Sequence, residues 1–348
     1  MITGIILFIG ISLLILVHEL GHFLSAKQAG IKVEEFGFGF PPRIKGWRRG
    51  ETLYSLNWLP FGGFVRIYGE SKHKQELIAQ ETGEVIEIKR TFFAQSVWRR
   101  FVVIAAGIAI NFIAGWLLLS AVYMIGDWVR VEITEVQPGS PAALIDLREG
   151  DALTQFTVAD EFVAFTKAHK GETVKVEILR DGISLQKQVT LRAQPKEGEG
   201  ALGAAVSDFG FPRLGFGRAL VKGFSDSVGM LADIFRALGN LVGQIFSHGT
   251  LPGDVVGPVG IFSMAGEFGK LGFVYVIQVL AMISLNLAAL NALPIPALDG
   301  GRILFLIIEK IKGSPIAPKR EFFANIISFG LLIILMIFIT GRDIVRLF

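Results

Sequence analysis

Cysteine is missing from the 348 residues. Disulfides and thiolate metal sites are therefore excluded, and any metal ion must be held by histidine and carboxylates. Histidine is itself scarce, with five in all, and His73, His169 and His248 stand in polar stretches. Excess charge is lacking too: the formal net charge is +3. No basic stripe interleaved with aromatics accompanies a pI near 9.0, so nucleic acid is excluded as a partner. No internal repeat is evident. Apolar surface, in contrast, is abundant. Hydrophobic residues make up 51% of the chain and phenylalanine fills 29 positions; the mean hydropathy of +0.54 belongs to the membrane class.

A helix needs roughly 20 apolar residues to cross a bilayer. Four segments meet this, at about 1–26, 100–126, 272–294 and 323–341. The first has neither the basic start nor the small-residue cleavage site of a secretory leader, so it is expected to remain as a span. Lys and Arg crowd the segment between the first two spans, among them Lys27, Lys32, Arg43, Lys45, Arg48, Arg49, Lys72 and Lys74. They recur in the connection between the last two, at Arg302, Lys310, Lys312, Lys319 and Arg320. Basic loops stay cytoplasmic. The N-terminus, the middle of the chain and the C-terminus are then expected outside.

Inside the first span stands His18-Glu19-Leu20-Gly21-His22. Histidines at i and i+4 share a helix face, and a Glu between them can serve as a base beside a bound metal. Residues 1–17 carry no charged side chain, and ionisable groups in such a setting are costly enough to mark a functional cavity. The pattern points to metal-assisted peptide hydrolysis within or beside a membrane. Catalytic zinc takes three protein ligands and keeps one position open, so a third ligand must come from a carboxylate or another histidine. Asp299 is the candidate. It closes Asn291-Ala292-Leu293-Pro294-Ile295-Pro296-Ala297-Leu298-Asp299-Gly300-Gly301, where two prolines and two glycines break the third span and expose backbone groups. Asp127, Asp233 and Asp254 are rivals by residue type, but the charge-based orientation puts them on the far side from His18 and His22. Glu19 is left as the general base, taking a proton from water and returning it to the leaving amine.

Three further segments shape the expectation. Phe36-Gly37-Phe38-Gly39-Phe40 and Leu59-Pro60-Phe61-Gly62-Gly63-Phe64-Val65 mix glycine with aromatics. They suggest a hairpin dipping to membrane depth and offering an edge to an extended peptide. Residues 129–193 read as a small soluble domain with a short helix after Pro138-Gly139-Ser140-Pro141 and a hairpin turned at Asp181-Gly182. From 217 to 246 the apolar spacing is helical but interrupted by Lys222, Asp226, Asp233 and Arg236, as suits a helix at the outer interface or packed on the bundle. The expected divisions are 1–127, 128–196 for the inserted domain, 197–270 for linker and amphipathic helix, and 271–348.

Taken together, the His-Glu-Leu-Gly-His helix, the Asn291 to Asp299 motif and the intervening segment resemble the site-2 protease family of intramembrane zinc metalloproteases, in its regulator-of-sigma-E protease (RseP-like) branch. The resemblance covers nearly the whole chain. Gly37-Phe38-Gly39 is similar to the family's membrane-reentrant β-loop, and Gly257-Pro258-Val259-Gly260-Ile261 stands before the third span as in the family. Glu135 to Ala143 followed by Glu149-Gly150-Asp151 resembles a PDZ domain. Two features depart from the pattern: Ile108 replaces the proline of Gly-Pro-x-x-Asn-Phe in the second span, and there is room for one PDZ-like domain rather than two. The resemblance implies a multi-span α-helical membrane protein of about four transmembrane helices, with a reentrant β-hairpin region and one inserted PDZ-like α+β domain. It implies zinc on His18, His22 and Asp299, Glu19 as base, and substrate held by Asn291, Asn286, Asn111, Gly37, Gly39, Pro294 and Pro296. Its location would be the bacterial inner (cytoplasmic) membrane, with the active site near the cytoplasmic side and the PDZ-like domain extracytoplasmic. Single-span membrane proteins would be the substrates, either anti-sigma-factor remnants or signal-peptide remnants, and the PDZ-like domain would bind or gate them. A metal-binding transporter and a catalytically silent PDZ-bearing scaffold are the alternatives.

Overall fold

A computed structural model describes residues 2–70, 88–195, 199–248, 257, 260, 268–269 and 271–347. Lys72, His73, Lys74, Asp254 and most of the 257–261 motif lie outside them. The chain divides into two compact units, Met1–Val122 with Gly217–Phe348, and Tyr123–Phe216.

The first unit begins with α1 (Ile2–Gln28). Strands β1 (Val33–Arg49) and β2 (Thr52–Ile67) follow, and after a 3-10 turn at Ile88–Arg90 comes α2 (Val97–Ile125). Among the described residues, four helices of this unit are long and apolar enough to cross a membrane: α1, α2, and two near the C-terminus at Phe273–Asn291 and Lys319–Val345. A helix satisfies its own backbone, which is why apolar runs of this length can exist in lipid. On α1, Leu7 and Leu14 are buried while Ile5, Ile9 and Leu13 are exposed. Both faces are equally apolar, so protein contact alone decides which side is inside.

The hairpin folds over itself. Residues 35–38 of β1 pair with 53–56 on one side and with 63–66 on the other, while 45–49 pair back onto 52–56. Residues 63–66 therefore form an outer edge. Alternate positions from Val33 to Gly39 are buried, the period-two signature of a half-covered strand. The buried face packs with Phe23, Ala26, Phe92, Val103 and Leu306. At the hairpin turn, Glu51 accepts hydrogen bonds from Lys27 Nζ at 2.8 Å and Arg90 Nη2 at 2.5 Å. These hold the Glu51 carboxyl below its usual range, Lys27 most strongly.

The second unit is a five-stranded antiparallel sheet. Its elements are β3 (Asp127–Val136), α3 (Pro141–Leu144), β4 (Ala152–Leu153), α4 (Ala159–Ala168), β5 (Thr173–Arg180), β6 (Ile183–Thr190) and β7 (Ala204–Phe211). The sheet order is β6-β5-β4-β3-β7. Ser140 caps α3, accepting from Ala143 N at 3.2 Å, with Pro141 in the first turn. Asp181 and Gly182 have φ of 52° and 79°, as a two-residue turn matched to strand twist requires. Val131, Ile133, Leu153, Val176 and Ile178 form a buried apolar core, each side chain contributing about 1.5–3 kcal/mol. The expected boundary at 196 falls short: β7 pairs with β3 from Asp127 to Val136, so part of the supposed linker belongs to this sheet.

The first unit resumes with α5 (Phe216–His248), α6 (Phe273–Asn291), α7 (Asp299–Lys312) and α8 (Pro318–Leu347). The start of α5 packs on α2, where Trp116 Nε1–H donates to Leu220 O at 2.9 Å and Phe224 meets Phe112 and Trp116 edge-on. Helix α7 occupies the basic connection between the last two spans. Arg100 of α2 anchors it through Glu309 at 2.8 Å, and Arg302 pairs with Glu70. Gly313, with φ of 72°, ends it and donates to Glu309 O.

Candidate metal centre

On α1, His18 and His22 lie one turn apart, and both are buried. Asp299 reaches them from the first turn of α7, where a negative side chain suits the helix dipole. The break before it is dictated locally. Helix α6 ends at Asn291 because Pro294 and Pro296 cannot continue it. A tight turn follows, with Leu298 N donating to Ile295 O at 2.9 Å. Any Cβ on Gly300 or Gly301 would strike the carbonyls of Leu293 and Ile295, so two glycines let α7 start directly beneath the turn.

Asp299 Oδ2 lies 3.1 Å from His18 Nε2 and 3.2 Å from His22 Nε2, and the two Nε2 atoms are 3.2 Å apart. Yet Oδ2 receives no hydrogen bond. On the His22 side the tautomer accounts for this: its Nδ1–H donates to Val103 O at 2.8 Å, which leaves that Nε2 as a bare lone pair. Buried lone pairs facing one another at such distances repel unless a cation sits among them. The three residues thus fit a zinc ion in both donor type and arrangement. They are the one group of this kind among the described residues. Of the rival carboxylates, Asp127 belongs to the other unit and Asp233 pairs with Arg236 at 2.7 Å. His169 also lies in the other unit, donating Nδ1–H to Phe165 O at 2.9 Å.

Helix α2 supplies the backing. A Cβ on Gly107 would overlap both imidazoles, and one on Gly21 would lie 2.5 Å from Ala106 O. Two glycines thus bring α1 and α2 together, in the way small residues do within membranes. Glu19 faces the same space, its Oε2 accepting the Val65 N–H at 3.1 Å from the outer edge of the hairpin. All four side chains line a cavity of about 310 Å³ that also includes Asn291 and Arg302.

The other expected substrate contacts lie elsewhere. Asn111 is fully buried behind His18 and does not line the cavity. Asn286 is exposed on α6 and donates to Met282 O of its own helix. Gly37, Gly39, Pro294 and Pro296 do not line the cavity; the glycines build the hairpin and the prolines shape the turn. Sequence reasoning missed the Val103 carbonyl and the Val65 amide, since backbone groups carry no residue-type signal. It also missed the placement of Arg302 in the cavity wall.

A two-histidine helix completed by a distant carboxylate, set among helices that can span a bilayer, defines the class of membrane-embedded metallopeptidases. Comparison with known proteins agrees. The model of peptidase family M50 matches residues 6–335. The zinc metalloprotease RasP of Shouchella clausii is 31% identical, with 97% of each chain covered. RasP of Bacillus licheniformis is 31% identical over 96% of this chain and 97% of its own. The regulator of sigma-W protease RasP of Bacillus subtilis is 30% identical over 96% of both. The chain belongs to peptidase family M50, as a site-2 protease of the RseP-like branch. It is a zinc-dependent metalloprotease of the bacterial membrane, which sets aside the transporter and scaffold alternatives.

Proposed function

We propose that this chain cleaves single-span membrane proteins within or beside their transmembrane segment, with zinc held by His18, His22 and Asp299 and with Glu19 as general base. The observation carrying this reading is the convergence of three buried metal-ligating side chains with one carboxylate in a single cavity. Bound zinc supplies Lewis-acid chemistry, polarising a carbonyl and making water acidic enough to attack near neutral pH. Glu19 does the proton work. Val65 N–H holds its Oε2, leaving Oε1 to take the proton from water and pass it to the leaving amine. A helical substrate hides its scissile amide in backbone hydrogen bonds and must unwind first. The outer edge at 63–66 offers a strand for the unwound segment to pair with, and Asn291 in the cavity wall can hold its carbonyl.

Exposed Phe40, Trp47, Trp58 and Phe61 on the hairpin support its immersion in the membrane. The Lys and Arg distribution supports a cytoplasmic active site and an outer position for the second unit. That unit is read as PDZ-like: a groove lined by Phe162, Thr166, Leu202 and Ala204 offers a place to bind or screen substrate. The name of the Bacillus subtilis relative, a regulator of sigma-W protease, favours trimmed anti-sigma factors as substrates, with signal-peptide remnants as a second group. The test is co-expression with tagged single-span candidates. The parent should yield a shortened product and Glu19→Gln none, while the purified variant keeps its zinc. Equal cleavage by Glu19→Gln would remove Glu19 from the chemistry.

A further inference from the structure

We propose that Asn111 is a positioning residue for the metal site, its amide oxygen accepting the Nδ1–H of His18 and so fixing which nitrogen of that ring faces the metal. The proposal rests on the reading that His18, His22 and Asp299 hold zinc. Asn111 is 0% exposed, in the middle of α2. Its Nδ2 lies 3.3 Å from His18 Nδ1, while its Oδ1 has no partner at all. In that orientation the amide donates to Nδ1, the ring proton must sit on Nε2, and the lone pair needed by a metal is lost. Turning the amide over exchanges the two atoms, moving the Nδ2 amine to the partnerless position. Oδ1 then accepts Nδ1–H, its unsatisfied state ends, and Nε2 is bare toward Asp299.

The companion ring is already arranged this way, with His22 Nδ1–H on Val103 O. Val103, Gly107 and Asn111 recur at intervals of four, so they share one face of α2. That face presents in turn a carbonyl for His22, a gap for both rings and an amide for His18. The position of this face is held independently of the Asn111 side chain, because Ser284 Oγ on α6 donates to the backbone oxygen of Asn111 at 2.8 Å. Outer-shell partners of ligating histidines typically change metal affinity by about 10–100-fold when removed.

The experiment measures zinc affinity of the full-length protein in detergent by competition with a chromophoric chelator, and the cobalt(II) absorption spectrum as a signature of ligand geometry. The parent should bind one zinc. Asn111→Leu, close in volume but unable to accept, should bind about 10–100-fold more weakly with an altered cobalt spectrum. Asn111→Asp, which can only accept, should retain the parent's affinity and spectrum, a rescue that mere packing would not produce. Should Asn111→Leu fail to assemble, Asn111→Ala replaces it in the same comparison. Equal affinity for parent and Leu variant, or equal weakening by Asp and Leu, overturns the proposal alone. A folded parent that binds no zinc overturns the metal reading, and this inference with it.

Discussion

Gly107→Ala isolates the close approach of α1 and α2 because its local and tertiary effects have opposite signs. In a helix interior alanine is favoured over glycine by about 1 kcal/mol, so the substitution by itself should strengthen α2. The added methyl, however, would lie 2.5 Å from Cε1 of His22 and 2.9 Å from Cε1 of His18. To regain ordinary contact at 3.4 Å, the rings must retreat by about 0.9 Å and 0.5 Å. Metal–ligand distances tolerate only about ±0.2 Å. Misplacement near 1 Å in an active site costs on the order of 100-fold. The purified variant should therefore assemble normally, lose most of its zinc by elemental analysis, and cleave a tagged single-span substrate at least about 100-fold more slowly. Gly330→Ala on α8, where a Cβ meets nothing within 4 Å, serves as control and should match the parent. Parental zinc content and cleavage in Gly107→Ala would refute the reasoning, since the rings would then have room that this geometry denies them.

Two further outcomes concern the supporting structure. Asp151 is 1% exposed and accepts from Arg180 Nε at 2.6 Å, Arg180 Nη2 at 2.7 Å and Arg148 N at 2.9 Å. Asp151→Ala should destabilise the second unit by about 2–4 kcal/mol, read as faster hydrogen exchange in β4 and β5, whereas Asp146→Ala should leave exchange near parental. Glu51 contributes in a pH-dependent way. Because Lys27 and Arg90 depress its carboxyl in the folded state, the stabilisation is present above the unfolded pKa of about 4.3 and is lost as pH falls through the lower folded value. The pairs are partly solvated, so Glu51→Gln should cost up to about 1 kcal/mol at pH 7. The gap in thermal stability between parent and variant should close below about pH 4, and a gap that widened on acidification would contradict the assignment.

Much of the fold was legible wherever local pattern and tertiary role coincide. Apolar length marked the four candidate spans. Helical spacing across 217–246 matches α5, Phe216–His248, to within two residues at each end, and Asp181-Gly182 announced its hairpin through its φ preferences. Strand β4, helix α4, strand β7 and helix α7 had no such local signal. Strand β7 is stabilised by pairing with β3, far away in sequence. Its own residues, Ala204-Ala205-Val206-Ser207-Asp208, alternate too weakly to declare a strand. Helix α7 begins with Asp299-Gly300-Gly301, which resembles a turn, and carries enough charge to pass for a connection. Residue type shows that the Asn111 amide will bond but not to what, and its placement beside His18 comes from the packing of α2 on α1.

By itself the sequence determined the kind of chemistry available. Without cysteine, and with a two-histidine helix bearing a glutamate between its ligands, a metal site had to be built from imidazole and carboxylate. The i, i+4 spacing settles that His18 and His22 share a face, because helical periodicity is a local property. That Asp299 meets both histidines, that both rings rest on a glycine, and that the Val103 carbonyl bares the Nε2 of His22 were decided only by tertiary structure. Those outcomes depend on how closely separate helices approach and on where backbone groups point. Both are set by packing between segments far apart in the chain, and neither is written in any local pattern of residues.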